Sequence, residues 1–168
     1  QAEHDELAAS ILITTDEAFG RRVADELENQ LASLSREAIA RQSIENYGAI
    51  IVARDLFEAA EFSNRIAPEH LELAVAEPFE LLPQIRHAGA VFLGHNTPEA
   101  AGDYLAGPNH TLPTGGTARF FSPLGTDDFV KKSSLISFSK EGLERLGKSI
   151  VRIAELEGLE AHAKSVSM

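Results

Sequence analysis

A glutamate and a histidine stand side by side at Glu69 and His70, immediately before a strand-like stretch. A neutral imidazole can accept a proton from an alcohol near neutral pH, and a neighbouring carboxylate can activate water. Open α/β sheets place their ligand sites at the ends of strands, which favours a functional interpretation. The alternative is a solvent-exposed pair at the entrance of a strand, and the local pattern does not choose between the two.

A second group of candidates lies in the glycine- and proline-rich stretch at residues 94–125, which contains Asp103 and His110. Asp103 is a hard anionic ligand suited to Zn²⁺ once nitrogen donors join it. The glycines allow close approach of the backbone to a ligand, although ordinary turns use them equally. A stretch of this length without periodicity indicates either function or a linker. No Gly-x-Gly-x-x-Gly string follows a strand, so the residues that would contact a dinucleotide stay unknown.

The two ends of the chain carry further possible ligands. Gln1 and His4 are three residues apart, so one helical turn would place both on the same face. Glu157 and His162 lie near the end of the last predicted helix. The alternative for both pairs is a fraying terminus with no ligand at all.

Composition narrows the possible functions. A chain of 168 residues with 43% apolar side chains is about one domain long. It has no cysteine, so any metal must be held by nitrogen and oxygen. A net charge of −11 argues against nucleic acid as a partner, and no apolar run is long enough for a membrane span. No signal peptide opens the sequence, and the absence of cysteine fits the expectation of a cytoplasmic location. Because it begins with Gln1 rather than methionine, we expect a fragment.

The hydrophobic pattern predicts an α/β fold. Short apolar runs that are typical of buried parallel strands alternate with amphipathic helices, and Asp16 is suited to cap the first helix. This alternation predicts a parallel sheet with helices packed on its faces. The predicted strands cover residues 10–14, 47–53, 71–76 and 88–93.

The pattern changes after residue 94. We expect short helices near residues 98–105 and 127–132, a last strand at 134–139 and one long helix from Lys140 to about Lys164. The chain is therefore divided into an α/β domain at residues 1–123 and a small C-terminal arm with its helix at 124–168.

Read together, these stretches resemble the histidinol dehydrogenase family, zinc enzymes that perform the last two oxidations of histidine biosynthesis. The resemblance covers essentially the whole chain in the right order, and the string NHTLPTGGTAR at 109–119 is its most specific part. The other matching stretches are APEHLEL at 67–73, AGAVFLG at 88–94, GDYLAGPNHTLPT at 102–114, GTARF at 116–120, PLGTDDF at 123–129 and EGLEAH at 157–162.

The resemblance implies a role for each candidate. Zn²⁺ would hold the imidazole and amino nitrogens of L-histidinol, which is oxidised through L-histidinal to L-histidine while two NAD⁺ are reduced. Glu69 and His70 match the catalytic pair, in which His70 takes the alcohol proton and Glu69 activates water. The implied zinc ligands are Gln1, His4, Asp103 and His162, and the implied substrate contacts are these four with His70, His110 and Glu157.

The resemblance also implies an architecture and a partner. The fold would be an incomplete Rossmann-like parallel sheet with flanking helices, followed by an extended Gly/Pro-rich arm and a C-terminal helical segment. The partner would be a second copy in a homodimer with a shared active site. Family members are much longer, and the portion absent here would carry most NAD contacts, so this chain alone is expected to be inactive. The alternative is a non-catalytic α/β module that binds an acidic or aminated metabolite, in which substitution of His70 would leave turnover intact.

Overall fold

A computed structural model describes residues 1–167 and divides the chain into two compact units. The first unit runs from Gln1 to Asp128 and the second begins at Phe129. The architecture is mixed α/β, with short parallel strands and flanking helices, so the predicted fold class is confirmed at this level.

The first strand pair is formed by β1 (Ile11–Thr14) and β2 (Ala49–Val52), which lie parallel. Between them come α1 (Glu17–Leu31) and α2 (Glu37–Tyr47). The carboxylate of Asp16 accepts a hydrogen bond of 3.0 Å from the backbone N–H of Phe19, so the predicted cap of α1 is confirmed. The predicted second strand is too long at its start, because Tyr47 still belongs to α2.

The second strand pair carries the candidate site. It follows α3 (Leu56–Ile66) and consists of β3 (His70–Leu73) and β4 (Ala90–Leu93), again parallel. The connection contains α4 (Pro78–Leu81) and a 3₁₀ turn (Leu82–Gln84), and β4 leads to α5 (Glu99–Tyr104). A buried apolar cluster supports these strands from the side of α3 and α4; its members are Ala60, Leu73 and Leu81, with Leu71, Val75, Leu82, Ile85, Val91 and Leu93 packed around them.

Within residues 1–167, the strands of the predicted parallel sheet do not all pair with one another. The four strands pair as β1 with β2 and as β3 with β4, and these are separate two-stranded sheets. Apolar composition indicates that a strand is buried in the folded protein. It does not identify the strand with which it forms hydrogen bonds. The side chains of Ile50 and Val52 on β2 remain 42% and 49% exposed.

Two predictions for the C-terminal part were wrong. Residues 133–139 contain no regular secondary structure, and Leu135 and Ile136 are 96% and 81% exposed, so the predicted strand is not formed. The terminal helix is divided into α6 (Lys140–Leu156) and α7 (Glu160–Val166). Gly158 lies between them with φ of +73°, a left-handed conformation that ends a helix.

The segment between α5 and α6 is irregular apart from 3₁₀ turns at Thr117–Arg119 and Thr126–Phe129. The helix predicted at residues 127–132 is therefore only this second short turn. None of the helices in residues 1–167 combines the length and the apolar character that crossing a bilayer would require.

Candidate metal and catalytic site

The turn before β3 has an unusual backbone conformation. Helix α3 ends at Ala67, which has φ of +52°, is 1% exposed and donates its N–H to the Ser63 carbonyl at 2.8 Å. Few residues other than glycine adopt this conformation. Next to it, the Pro68 and Glu69 carbonyls accept hydrogen bonds from Gly89 and Ala90 at 2.9 and 2.8 Å. This turn therefore fixes the backbone that presents Glu69 and His70.

The Glu69–His70 pair lies at the entrance of its strand, as the sequence indicates. His70 is the first residue of β3, so Glu69 and His70 lie at its amino end. Open α/β sheets usually bind ligands beyond the carboxyl ends of their strands. Here the site forms because side chains from α5 approach His70.

A cluster of three ionisable side chains joins β3 to α5. The Nε2 atom of His70 lies 3.4 Å from Oε1 of Glu99 and 4.0 Å from Oδ1 of Asp103. The three side chains are only 16%, 27% and 24% exposed. One donor atom from each lies within 4.8 Å of the other two, a spacing that fits a single divalent cation. We call these three residues the acid–imidazole cluster.

A close contact between α5 and β4 holds this cluster together. Phe92 of β4 is 7% exposed, and its ring centroid lies 6.0 Å from that of His70. A Cβ atom on Gly102 would lie only 2.6 Å from the Phe92 ring. The absence of a side chain at Gly102 therefore lets α5 approach the ring and brings Asp103 to His70.

The start of α5 is bonded to the same strand. Glu99 donates its backbone N–H to Oε1 of Glu72 at 2.9 Å. Glu72 and His70 are two residues apart on β3 and therefore point to the same side of the strand. One face of β3 thus contacts both the backbone and the side chains of α5.

The electrostatics of the cluster favour a bound cation. Burial raises the pKa of the Glu99 carboxyl above its ordinary value of 4.5, and its hydrogen bond with Asp103 and the charge of Asp103 raise it further. The charge of His70 acts in the opposite direction. Two carboxylates held this close repel each other unless a proton or a cation lies between them.

The N-terminal residues, which include Gln1 and His4, form a closed turn. His4 donates its backbone N–H to the Gln1 carbonyl at 3.1 Å, which closes this turn. Ala2 is buried against Leu31 and Ala40, so this end is packed rather than frayed. The side chains of Gln1 and His4 are exposed.

The segment that carries His110 contacts α3 and the residue that precedes β4. Arg119 donates to the Gly116 carbonyl at 2.8 Å and also to the Arg65 carbonyl. Pro113 is buried, and it lies close to Gly89, at 3.2 Å from the position of a Cβ atom there. His110 itself is exposed and is not one of the three members of the acid–imidazole cluster.

Glu157 and His162 belong to the second unit. Glu157 is the C-terminal cap of α6 and His162 lies on α7, and both are exposed. Within the first unit, therefore, the structure brings His70 to Asp103, while Gln1 and His4 are exposed in the N-terminal turn.

Sequence reasoning missed Glu72 and Glu99. The signal for Glu99 is its spacing of four residues from Asp103, which puts two carboxylates on one face of a helix. The signal for Glu72 is its spacing of two from His70 in a strand. Neither spacing predicts that this face of β3 contacts this face of α5.

Comparisons with known proteins agree on one family. A family model described as histidinol dehydrogenase matches residues 1–168. The histidinol dehydrogenases of Syntrophotalea carbinolica and Geobacter sulfurreducens are each 76% identical over 168 residues, which is 100% of this chain and 39% of each relative. That of Aquifex aeolicus is 54% identical over the same span, again 39% of its length. The chain thus spans about 39% of the length of these curated relatives.

A solved structure supports the same relationship. The crystal structure of histidinol dehydrogenase from Elizabethkingia anophelis superposes with a TM-score of 0.89 at 42% identity. The match covers 99% of this chain and 38% of that one.

Proposed function

The chain belongs to the histidinol dehydrogenase family, and on that premise we propose that it forms the zinc- and substrate-binding part of an NAD-dependent oxidoreductase. The reaction is the oxidation of L-histidinol through L-histidinal to L-histidine, at the end of histidine biosynthesis. The observation that carries the proposal is the approach of His70 to Asp103 across β3 and α5, at 4.0 Å. It joins a proton acceptor to a hard anionic ligand in a half-buried site.

The metal in this proposal is Zn²⁺, held by Gln1, His4, Asp103 and His162. The residues of the first unit fit such an ion. They include the close carboxylates of Glu99 and Asp103, whose mutual repulsion a bound cation would relieve. When bound, Zn²⁺ supplies a template that orients the nitrogens of the substrate.

The catalytic steps are assigned to Glu69 and His70. His70 takes the proton of the substrate alcohol, and Glu69 removes a proton from the water that adds to the aldehyde. The ordered turn at Ala67 and the contact of His70 with Phe92 hold these two side chains in place. His110 and Glu157 contact the substrate near its amino and carboxylate end. NAD⁺ accepts the hydride, and no residue of this chain is assigned to it.

For this chain we propose an incomplete Rossmann-like domain at residues 1–123. An arm with terminal helices follows at residues 124–168. Parallel pairing within both strand pairs supports the first part. The half-exposed apolar side chains of β2 leave a face of this strand pair that further elements of the longer protein can cover. We also propose a cytoplasmic enzyme without nucleic-acid or membrane partners, in keeping with the net charge of −11.

The proposed partner is a second copy of the chain, with Glu157 and His162 serving the active site of the other subunit. The second unit exposes large apolar side chains ahead of α6, and such surface usually becomes buried against a partner. The most exposed of them are Phe129, Leu135 and Ile136.

A chimera tests the proposal, because the chain spans only part of its relatives. In it, this chain replaces the matching segment of the Geobacter sulfurreducens enzyme, to which it is 76% identical. The His70→Asn variant should lose turnover of L-histidinol by about 10²–10⁴-fold. The Asp103→Asn variant should lose bound zinc, measured by elemental analysis.

Two exposed positions provide controls. His95→Asn and Asp25→Asn change the same residue types on the surface and should retain both activity and zinc. Full turnover in His70→Asn would instead support the binding-module alternative. Unchanged zinc content in Asp103→Asn would show that the ligand assignment is wrong.

A further inference from the structure

We infer that Glu99 is a positioning residue for His70, holding the Nε2 edge of the imidazole so that its other nitrogen can accept the substrate proton. The inference rests on the proposed function, in which His70 is the proton acceptor, and adds a carboxylate that neither the family resemblance nor the comparisons assign to the reaction.

The distances identify Glu99 as the partner of this edge. Nε2 of His70 is buried and makes no regular hydrogen bond. The carboxylate of Glu99 is nearer to it than that of Asp103, at 3.4 Å against 4.0 Å. A small shortening of the distance between Nε2 of His70 and Oε1 of Glu99 produces a hydrogen bond, because N–H···O bonds to charged oxygens are usually 2.7–2.9 Å long. Glu99 is therefore the group best placed to receive an Nε2–H.

The carboxylate determines which nitrogen of His70 is available. A neutral imidazole has one N–H and one lone pair, and a hydrogen-bond acceptor fixes the N–H on the nitrogen that faces it. With Nε2–H directed at Glu99, the lone pair is on Nδ1. In the proton transfer, the O–H bond of the alcohol breaks, its electron pair stays on oxygen, and a bond forms between the proton and Nδ1.

Glu99 is itself held by the strand that carries His70. Its backbone N–H donates to Oε1 of Glu72, two residues beyond His70 on the same side of β3. The contact of Gly102 with Phe92 holds the next part of α5 against β4. The carboxylate and the imidazole are thus fixed to one framework, as pre-organised catalysis requires.

The test uses the zinc-loaded chimera and separates positioning from metal binding. Glu99→Gln keeps the shape of the side chain but removes the charge, and its amide can present either N–H or C=O to His70. We expect kcat for L-histidinol to fall about 10–100-fold, as for other groups that orient a reacting side chain, with zinc content unchanged and KM within about threefold. Glu99→Asp, which keeps the charge, should recover part of kcat.

Glu80→Gln is the matched control, because Glu80 is an exposed glutamate on α4. It should leave kcat, KM and zinc content unchanged. A cooperative thermal transition in both Glu99 variants would show that each is folded.

Four results would overturn the inference. Unchanged kcat in Glu99→Gln would show that the carboxylate does not act on His70. Loss of zinc together with activity would make Glu99 a metal ligand, and a raised KM with normal kcat would make it a substrate contact. If the unsubstituted chimera does not oxidise L-histidinol, the proposed function itself fails and this inference fails with it.

Discussion

The backbone N–H of Glu99 donates a 2.9 Å hydrogen bond to the side chain of Glu72, 27 residues earlier in the chain. Glu72 belongs to β3 and Glu99 begins α5, so this bond connects the strand that carries His70 to the helix that carries Asp103. Because α5 is only six residues long, it depends on such contacts for its position.

Removing this contact should loosen α5. Glu72→Ala leaves the first N–H of α5 without its acceptor and should lower the free energy of unfolding by about 1 kcal/mol, in the range of helix-capping residues. Hydrogen exchange at the Glu99 amide should quicken. Glu72→Gln, which keeps an acceptor oxygen, should show a smaller decrease in the free energy of unfolding. Equal exchange rates at the Glu99 amide in Glu72→Ala and in the unsubstituted protein would contradict this prediction. They would show that water replaces the Glu72 acceptor without loosening α5.

A methyl group at Gly102 should separate α5 from β4. In Gly102→Ala the new Cβ would lie 2.6 Å from the Phe92 ring, so the helix or the buried ring must move. We expect a stability loss of about 1–3 kcal/mol, as for other overpacked sites, and weaker zinc retention as Asp103 moves away from His70. Gly125→Ala is the control, since its Cβ would have no neighbour closer than 3.9 Å. Full zinc binding in Gly102→Ala would mean that the ring yields without moving α5.

The zinc-free protein should respond to pH through Glu99. Its pKa in the folded state is raised above 4.5, mainly by burial, so the protonated carboxyl favours folding. The stabilisation from the protonated carboxyl is fully present below pH 4.5, and it is lost as pH rises through the folded-state pKa. Glu99→Gln, which is neutral at every pH, should therefore become more stable relative to the unsubstituted protein as pH increases over that window.

Urea unfolding in the presence of a chelator, at several pH values from about 4 to 7, measures this difference. Glu80→Gln should show no such trend, because Glu80 is exposed. A stability difference that is independent of pH would contradict the assignment of the raised pKa to Glu99.

A shared active site predicts complementation between two inactive variants. If His162 serves the other subunit, a mixed dimer of His70→Asn and His162→Asn chimeras has one site with both substitutions and one intact site. Random pairing of equal amounts should then restore about a quarter of the wild-type activity. Co-expression with two affinity tags isolates the mixed dimer. No recovery in that purified dimer would indicate that each site is built from one chain.

Several features of the fold are contained in local sequence. Asp16 precedes an amphipathic run and caps α1, and the runs predicted at residues 71–76 and 88–93 contain strands β3 and β4. These features depend on neighbours within a few residues, where spacing and residue type suffice. The break at Gly158 was overlooked although its signal is local, because a single glycine can also be tolerated within a helix.

Strand pairing could not be read from the sequence in the same way. The run at residues 134–139 has strand-like composition but no regular structure, and β2 and β3 do not pair with each other. A strand is stabilised by the chain that it pairs with, and that partner is distant in sequence.

The candidate site also combines features that the sequence predicts with features that depend on the tertiary structure. The sequence by itself determined which residues can do the chemistry: His70 as a proton acceptor, Asp103 as an oxygen ligand and a family-specific string around His110. Only the tertiary structure decided that Glu99 and Asp103 approach His70, because their meeting depends on Glu72 bonding to α5 and on Gly102 packing against Phe92. Such contacts join residues far apart in the chain, and local spacing carries no information about which helix face a strand will meet.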